Sequence, residues 1–504
     1  MSDRAGRPTE SLQEGVAAPR ASSRTLVTTA AIAVILITAI EGTIVATVMP
    51  QIVGQLGRFD LFSWVFTAYL LTQAVTIPLY GRLADIYGRK RMLLIAIGLF
   101  LLGSLMCGFA GGMVSLIAFR VLQGTGAGGL VPLAQTVVGD MYTPVERARV
   151  QGYLSSVWAV GSIVGPLLGA FLVAHTIWPM VFWVNIPIGA IAALLLILWL
   201  HEKLQQRQHR IDYGGALLMV AGSGLLMFAL VEASHLGAVR ATGLLAMAII
   251  ILALFVFYER RAAEPMIPLA LLRNRVIAAG TLGACALGAI MMGATAFVSL
   301  YVQGVMGRGA LLAGLVLMTP SVTWPIGSIS GGWMMLKTSY RATTLVGTLP
   351  LLLGCALMIA LSPASGALIA TCGVGFIGIG MGLTNNTFTV AVQGTVAWNQ
   401  RGVATSTISF ARILGQSLGA AIFGGTINAA LAAHGAVGDI VDRLLDPTLR
   451  QGMTSAETAP LMTAIAEGIH NVYLITGILV LMVLLMGISM PAGLSPIRGI
   501  AKRS

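Results

Sequence analysis

The chain has 504 residues, of which 57% are hydrophobic and only 10% are charged, and its mean hydropathy is +0.89. A typical soluble domain has about 25% charged residues, so this composition excludes a soluble globular protein, and it excludes intrinsic disorder as well. An integral membrane protein is the class that remains. The net charge of +12 would also suit a nucleic-acid partner, and the positions of the charges decide between the two explanations.

Residues 1–24 are polar and rich in Arg, Ser, Pro and Glu, which predicts a disordered tail. The apolar run that follows, from Thr25 to Met49, is too long for a signal peptide and predicts a membrane anchor that is retained. Similar apolar runs recur to the end of the chain, and a membrane-spanning helix needs about 20 apolar residues. The sequence therefore predicts about fourteen transmembrane helices, at 26–49, 62–82, 92–110, 113–139, 150–173, 181–200, 212–232, 240–258, 276–303, 311–335, 341–361, 366–392, 402–428 and 470–490.

Under this topology, most of the basic residues lie on one side of the membrane. Of the 30 lysines and arginines, those in the predicted outer loops are few, namely Arg58, Arg240, Arg308, Arg443 and Arg450. Most of the others lie in the alternate segments and in the two tails. This asymmetry predicts that both termini are cytoplasmic, and it explains the basic pI without a nucleic-acid partner. The acidic connection 429–469 is the long outer loop, and we expect a short amphipathic helix within it.

An internal repeat divides the chain. A shift of 254 residues superposes Gly124 on Gly378, and it also aligns Gly161 with Gly415. We therefore predict two related six-helix halves, 25–203 and 261–492, with two inserted linker helices at 204–260. The remaining residues, 1–24 and 493–504, form cytoplasmic tails. Parallel halves with a site between them near the membrane midplane are a transporter architecture.

The predicted loop after the second helix places a carboxylate in a basic cluster. Asp85 lies between Gly81 and Gly88 and is followed by Arg89. The glycines permit a tight turn. When the cytoplasmic side is closed, Asp85 could accept hydrogen bonds from a helix N-terminus or an arginine, so that breaking the contact opens a gate. The alternative is a basic loop that only anchors two helix ends.

Two further patterns lie inside predicted spans. Gly161, Gly165 and Gly169 recur every four residues around Pro166, which predicts a smooth helix face for close packing and a local bend. We expect this seam to open and close during transport, although packing alone is the alternative. Glu41 is the acidic residue placed deep within a span, where a charge costs roughly 2.5–3.5 kcal/mol. Its carboxyl could bind a proton from one side and release it to the other, or it could form a structural hydrogen bond.

Taken together, these segments resemble the major facilitator superfamily and, within it, the fourteen-helix drug:proton antiporter branch. The resemblance covers nearly all of the chain except the tails and the late outer loop. The matching segments are 41–45, 64–71, 81–91, 120–124, 161–169, 182–189 and 212–215. The resemblance implies an all-α membrane fold of the major-facilitator type. It also implies a role for Arg120 in proton coupling; the alternative is that Arg120 extends to the cytoplasmic interface.

Polar and aromatic residues within the spans are candidates for the substrate cavity. They are Tyr69, Gln123, Trp158, Trp324, Asn385 and Asn386. Arg412 lies near the middle third of its helix, from which the interface is harder to reach, and it could either hold a helix carbonyl or contribute charge to the cavity.

The resemblance, together with the buried acid Glu41, implies a proton-driven exporter of lipophilic drugs or toxic compounds in the bacterial cytoplasmic membrane, which we expect to act as a monomer and without a cofactor. Two alternatives stay open: an exporter of a native lipid, metabolite or siderophore, and a membrane-embedded enzyme. The enzyme is disfavoured because the six histidines and four cysteines show no metal-ligand spacing and no nucleophile motif occurs.

Overall fold

The computed structural model describes residues 23–142, 144–202, 212–232, 236–262, 269–362, 366–396, 401–435 and 438–492. Apart from Ser23 and Arg24, the predicted tails lie outside these ranges. Every regular element within them is helical, as a bilayer requires of a chain that must pair its own backbone groups.

The first half of the chain forms a helical bundle around the N-terminal helix. Its described α-helices are α1 (Arg24–Leu56), α2 (Phe62–Tyr87), α3 (Arg89–Gly108), α4 (Met113–Met141), α5 (Pro144–His175), α6 (Met180–Trp183) and α7 (Asn185–Trp199). Two helices then form a pair beside the bundle, α8 (Tyr213–Val231) and α9 (Ala238–Glu259). Helix α8 also packs on α2, and the Trp64 side chain donates to Glu232 just beyond its end.

The second half repeats this plan. Its described α-helices are α10 (Arg275–Met292), α11 (Val298–Leu300), α12 (Ala310–Lys337), α13 (Tyr340–Ile359), α14 (Ala367–Thr395), α15 (Arg401–Ala433), α16 (Gly438–Leu445), α17 (Pro447–Arg450) and α18 (Ser455–Ile488). Two π-helical turns, Gly293–Phe297 and Tyr301–Val305, continue α10 and α11 into one long helical segment.

Thirteen helical segments of the described chain are long and apolar enough to cross a membrane. Helix α15 coincides with the thirteenth predicted span, 402–428, but it is not among these thirteen segments because polar side chains line one of its faces. The protein is therefore an all-helical, multi-pass membrane protein with thirteen to fourteen spans, as predicted.

The predicted long outer loop, 429–469, is mostly helical, which corrects the sequence interpretation. Helix α18 begins at Ser455, not near 470, because Thr454 and Glu457 form a capping box that starts the helix. The helical turns between 455 and 469 contain too many polar residues to be recognised as part of an apolar run. The expected short amphipathic helix is present as α16.

Glycines paired by the 254-residue shift make equivalent contacts. Gly124 lies against α2, and Gly378 lies against the corresponding helix α12. Gly165 lies against α1, and Gly419 lies against α10. A side chain at any of these glycines would collide with its neighbour, so the close helix pairs of the two halves depend on the same positions.

One end of the bundle, the N-terminal face, contains the start of α1. Thr28 Oγ1 lies 2.8 Å from Tyr142 Oη just after α4, and Lys90 Nζ donates to Leu200 O after α7 at 2.6 Å. Helices α1 and α2 connect through Arg58 at the opposite end, which we call the distal face. By alternation of the helices, α4 begins at the distal face.

The halves meet toward the distal face. Ser299 Oγ and Gln303 Nε2 both donate to Thr47 O, at 3.1 Å and 2.7 Å. Helix α2 packs on α15, and α5 packs on α12. Nearer the N-terminal face, Gly42 and Trp158 are accessible in the middle of their helices. A cleft between the halves therefore opens toward the N-terminal face and is closed at the distal face.

Candidate functional site

Glu41 lies at the centre of a buried polar network in the first half. It occupies the middle of α1, and its relative exposure is 1%. Its Oε1 atom pairs with the Arg120 guanidinium of α4, and its Oε2 atom accepts from Asn185 Nδ2 at 2.7 Å. Both carboxylate oxygens thus have strong donors, which is how a protein holds a charge away from water.

Arg120 is fully enclosed, with a relative exposure of 2%. Besides Glu41, its guanidinium donates to Gln123 Oε1 at 2.6 Å and to Val65 O at 3.2 Å. Its Cζ atom lies 3.9 Å from the centre of the Tyr69 ring, at cation–π distance. The alternative that Arg120 reaches the cytoplasmic interface is therefore wrong: its helix begins at the distal face, and the ion pair holds the side chain inside.

The network ends on α3. Gln123 Nε2 donates to Ser104 Oγ at 2.8 Å, and both residues are completely buried. Gln123 and Tyr69 were predicted as cavity residues, and the structure instead places them around Arg120. Ser104 and Asn185 were not among the predicted site residues. Asn185 lies within the matched segment 182–189. Its amide side chain among apolar residues was the one feature of the sequence that could have indicated a role in the site.

The second half has no such charge at the equivalent positions. According to the glycine contacts, Leu287 occupies the position equivalent to Glu41, and Val374 occupies the position equivalent to Arg120. Both residues are fully buried. The ion pair is thus a feature of the first half alone. A single buried pair of opposite charges has no net charge. Adding one proton to its carboxylate leaves the pair with a net charge of +1.

The predicted gate residues lie at the N-terminal face. Gly81 and Asp85 are exposed within the last turns of α2, and no partner of Asp85 is recorded among the described residues. Gly88 has a φ of 94°, which favours glycine, and it separates α2 from α3. The Arg89 side chain forms an ion pair with Asp140 at the end of α4.

A carboxylate from the segment that follows α7 holds the start of α3. The backbone N–H groups of Arg89 and Lys90 both donate to Glu202, at 2.9 Å each. Lys90 Nζ in turn donates to backbone carbonyls at the end of α7, among them Ile197 O at 2.9 Å. Each helix end is thus satisfied by a side chain of opposite charge.

The glycine stripe of α5 packs on α1. Gly161 approaches Ala39, Gly165 approaches Thr43, and all three stripe glycines, including Gly169, are buried. The partner belongs to the same half, so this stripe does not itself form the seam between the halves.

The second half meets α5 just beside this stripe. The backbone carbonyl of Pro166 lies close to Gly314 of α12, and Ser321 Oγ donates to Ser162 O at 2.9 Å.

The remaining cavity candidates are separated from the ion pair. Trp158 is 37% exposed. It lies one turn before Gly161 and Ser162, on the side of α5 that contacts α1 and α12. Asn386 helps to line a cavity of about 510 Å³ between α12 and α14, and its Nδ2 donates to Ser328 O at 3.0 Å. The Oδ1 atom of Asn385 is buried without a partner among the described residues, and Trp324 is half-buried against the apolar core.

Arg412 lies on the polar face of α15. Its side chain is half-buried, and no hydrogen bond or ion pair of its guanidinium is recorded within the described residues. No carbonyl of the described residues is therefore the acceptor that the first of its two interpretations requires.

The described residues contain no group of three or more metal-ligating side chains. All four cysteines are free, and Cys372 is exposed on its helix.

Comparison with known proteins identifies the family of the chain. The family model described as Major Facilitator Superfamily matches residues 31–420. The chain is 35% identical over 393 residues to Multidrug resistance protein 3 of Bacillus subtilis (strain 168), which covers 77% of each chain. It is 34% identical over 411 residues to the Multidrug transporter protein MdtP of the same organism, covering 81% of this chain and 76% of that one.

Solved structures agree on the fold. A bacterial homolog of the human lysosomal transporter Spinster, in an inward-facing and occupied conformation, matches with a TM-score of 0.65. The match covers 92% of this chain and 96% of the other, at 17% sequence identity.

Proposed function

Because this chain belongs to the major facilitator superfamily and is a transporter, not an enzyme, we propose that it is a proton-coupled antiporter that exports lipophilic drugs or other toxic compounds by alternating access. The names of its relatives support drug efflux. The basic N-terminal face supports an orientation with both termini in the cytoplasm, and we place the protein in a bacterial cytoplasmic membrane.

The buried pair of Glu41 and Arg120 is the observation that carries the proton coupling. When the carboxyl of Glu41 takes up a proton, it loses its charge, and the guanidinium of Arg120 stays buried without a counter-charge. Leaving one partner of a buried pair alone costs about 3–5 kcal/mol. The first half can reduce that cost by moving α1 relative to α4, so protonation favours a different arrangement of these helices.

A path for the proton begins beside Glu41. Gly42 is exposed toward the cleft, and no atom lies within 4 Å of the place a side chain would take. The accessible cleft therefore comes within one residue of the buried carboxyl. We infer that the proton leaves Glu41 through this cleft toward the N-terminal face, which is the side where an antiporter with cytoplasmic termini releases its proton.

The driving force is adequate for export. One charge moved across 100 mV is worth about 2.3 kcal/mol, and a pH difference of one unit adds roughly 1.4 kcal/mol. One proton could therefore sustain a substrate gradient of several hundredfold, since each 1.4 kcal/mol corresponds to about a factor of ten.

The closed distal face supports alternating access. Asp442 of α16, in the second half, accepts from the backbone N–H groups of Arg58 and Phe59 in the first half, at 2.9 Å and 3.0 Å. On the second half itself, Arg450 Nη1 donates to Gln303 O at 2.8 Å. We call these contacts of α16 and α17 the distal latch. Opening the distal face requires that the bonds of Asp442 break.

Dye transport into everted membrane vesicles tests the proposal. The vesicles are energised with a proton gradient and offered the cation ethidium and the anion 8-anilinonaphthalene-1-sulfonate. We expect gradient-dependent uptake of at least one dye, and its loss in the Glu41→Gln variant.

The matched control is Glu467→Gln, which removes an exposed carboxylate of α18 and should transport normally. Because Glu41→Gln leaves Arg120 unpaired, the double variant Glu41→Gln/Arg120→Leu is included as a better-folded, uncoupled protein. Undiminished gradient-driven uptake by either Glu41 variant would contradict the assignment.

A further inference from the structure

We propose that Arg412 is a substrate-binding residue, and that it gives the cleft a preference for organic anions over organic cations of the same shape. This inference rests on the proposed export function and specifies its class of substrate.

The first argument is the direction of the polar face of α15. Thr405, Ser409, Arg412 and Gln416 recur at helical spacing, and all four are half-buried. The other faces of this helix are occupied: Ser417 Oγ donates to Thr67 O of α2 at 3.0 Å, and the glycine face packs on α10. The ends of the polar face are held within the second half, because Gln393 Nε2 of α14 donates to Thr405 Oγ1 at 2.9 Å and Gln416 Nε2 donates to Met291 Sδ of α10 at 3.3 Å. Between these ends, Ser409 and Arg412 have no partner among the described residues, and we assign this middle part of the face to the cleft between the halves.

The second argument is that the positive charge of Arg412 has no described partner. Arg412 lies about eleven residues from the start of α15, roughly 16 Å along the helix axis, so it is deep in the membrane-spanning part. A basic residue at such a depth is costly, and it normally has a partner. Arg120 bonds to Glu41, Gln123 and Val65 and lies over the Tyr69 ring, whereas Arg412 is half-buried and has no partner among the described residues.

The third argument is the composition of the facing wall. The repeat places Trp158 of α5 at the position equivalent to Arg412, so an aromatic side chain and a guanidinium occupy corresponding sites in the two halves. The acidic residue at similar depth, Glu41, is already paired and enclosed. A ligand with an apolar body and a negative group would contact the first wall through its body and the second through its charge.

Binding of two isosteric ions to the purified full-length protein tests this inference. Tetraphenylborate and tetraphenylphosphonium have nearly the same shape and opposite charge. Titration calorimetry in a non-ionic detergent, with protein-free micelles subtracted, gives the affinity of each. We expect the wild type to bind the anion about tenfold more tightly than the cation, because the guanidinium of Arg412 attracts the anion and repels the cation.

The variants identify the source of that preference. Arg412→Gln should lose the tenfold difference, and Arg412→Lys should retain most of it. The control Lys337→Gln removes an exposed positive charge at the end of α12 and should leave the difference unchanged. Equal affinities in the wild type, tighter binding of the cation, binding of neither ion, or a preference that survives Arg412→Gln would each overturn the inference.

This measurement needs no proton gradient, so it separates the two proposals. Anion preference without gradient-driven dye uptake would contradict the export function alone. Dye uptake without anion preference would contradict the role of Arg412 alone.

Discussion

Glu41 on α1 and Arg120 on α4 form an ion pair whose side chains are 0% and 2% exposed in the middle of a membrane-spanning bundle. Asn185 binds the second carboxylate oxygen, so the pair ties three helices of the first half together. Under the proposed function, protonation of Glu41 acts through these contacts on the packing of all three helices.

The ion pair makes a prediction about stability. Glu41→Gln should lower the free energy of unfolding by about 3–5 kcal/mol, because the guanidinium of Arg120 stays buried without its counter-charge. The double variant Glu41→Gln/Arg120→Leu should recover at least half of that loss, since it buries no charge. Thermal unfolding in detergent measures both. If the double variant is less stable than the single one, the pair is not the dominant interaction.

The cleft makes a prediction about two glycines. Gly165→Ala should destabilise the protein by about 1–3 kcal/mol, because the added methyl would collide with Thr43 of α1. Gly42→Ala should change stability by less than about 0.5 kcal/mol, because it points into open space. Thermal unfolding of the two variants, side by side, checks the direction of the cleft. A larger loss in Gly42→Ala would place that residue in packed protein.

These two glycines also show what a sequence can predict here. Apolar runs predicted the transmembrane helices well, because the length and composition of a span are local properties. The four-residue spacing predicted that the face containing Gly165 would be tightly packed. It could not predict that the partner is α1 of the same half, because that depends on how helices assemble in three dimensions.

The partners within the site were harder to predict. Glu41 was singled out because an acid in a span is conspicuous, but its partner Asn185 is an uncharged amide some 140 residues away in the chain. A role for Arg120 in proton coupling was implied by resemblance alone, and the alternative of an extension to the cytoplasmic interface is wrong because Arg120 is buried near the distal start of α4. The helical path of 429–469 was missed because apolar runs reveal membrane spans and not helices that extend beyond them.

The distal latch predicts a shift in conformational population. Asp442→Asn replaces a charged acceptor of two backbone N–H groups with a weaker one, so the distal face should open more often. In a protein without its native cysteines, Ser63→Cys is buried against Gly424 and reports on this seam. Its reaction with a membrane-impermeant thiol reagent should become several times faster with Asp442→Asn.

The control for the latch is Asp60→Asn. Asp60 pairs with Arg58 within the same half, so this variant should leave the labelling rate unchanged. Equal labelling of the Asp442 and Asp60 variants would show that the latch does not hold the distal face closed.

Asp85 at the N-terminal face should behave differently from the ion pair. It is exposed, so Asp85→Asn should change the free energy of unfolding by less than about 0.5 kcal/mol. If Asp85 forms its contact when the N-terminal face closes, the same variant should slow dye uptake severalfold in everted vesicles. A variant that transports at the wild-type rate would remove Asp85 from the gate.

Proton release that accompanies substrate uptake tests the central claim most directly. Purified protein is reconstituted into liposomes containing a pH-sensitive dye, and substrate is added without a membrane potential. We predict that the wild type moves protons in a fixed ratio to substrate, in the opposite direction, and that Glu41→Gln and the double variant move none. Substrate movement by the wild type without proton movement, or unchanged proton movement by the Glu41 variants, would contradict the account.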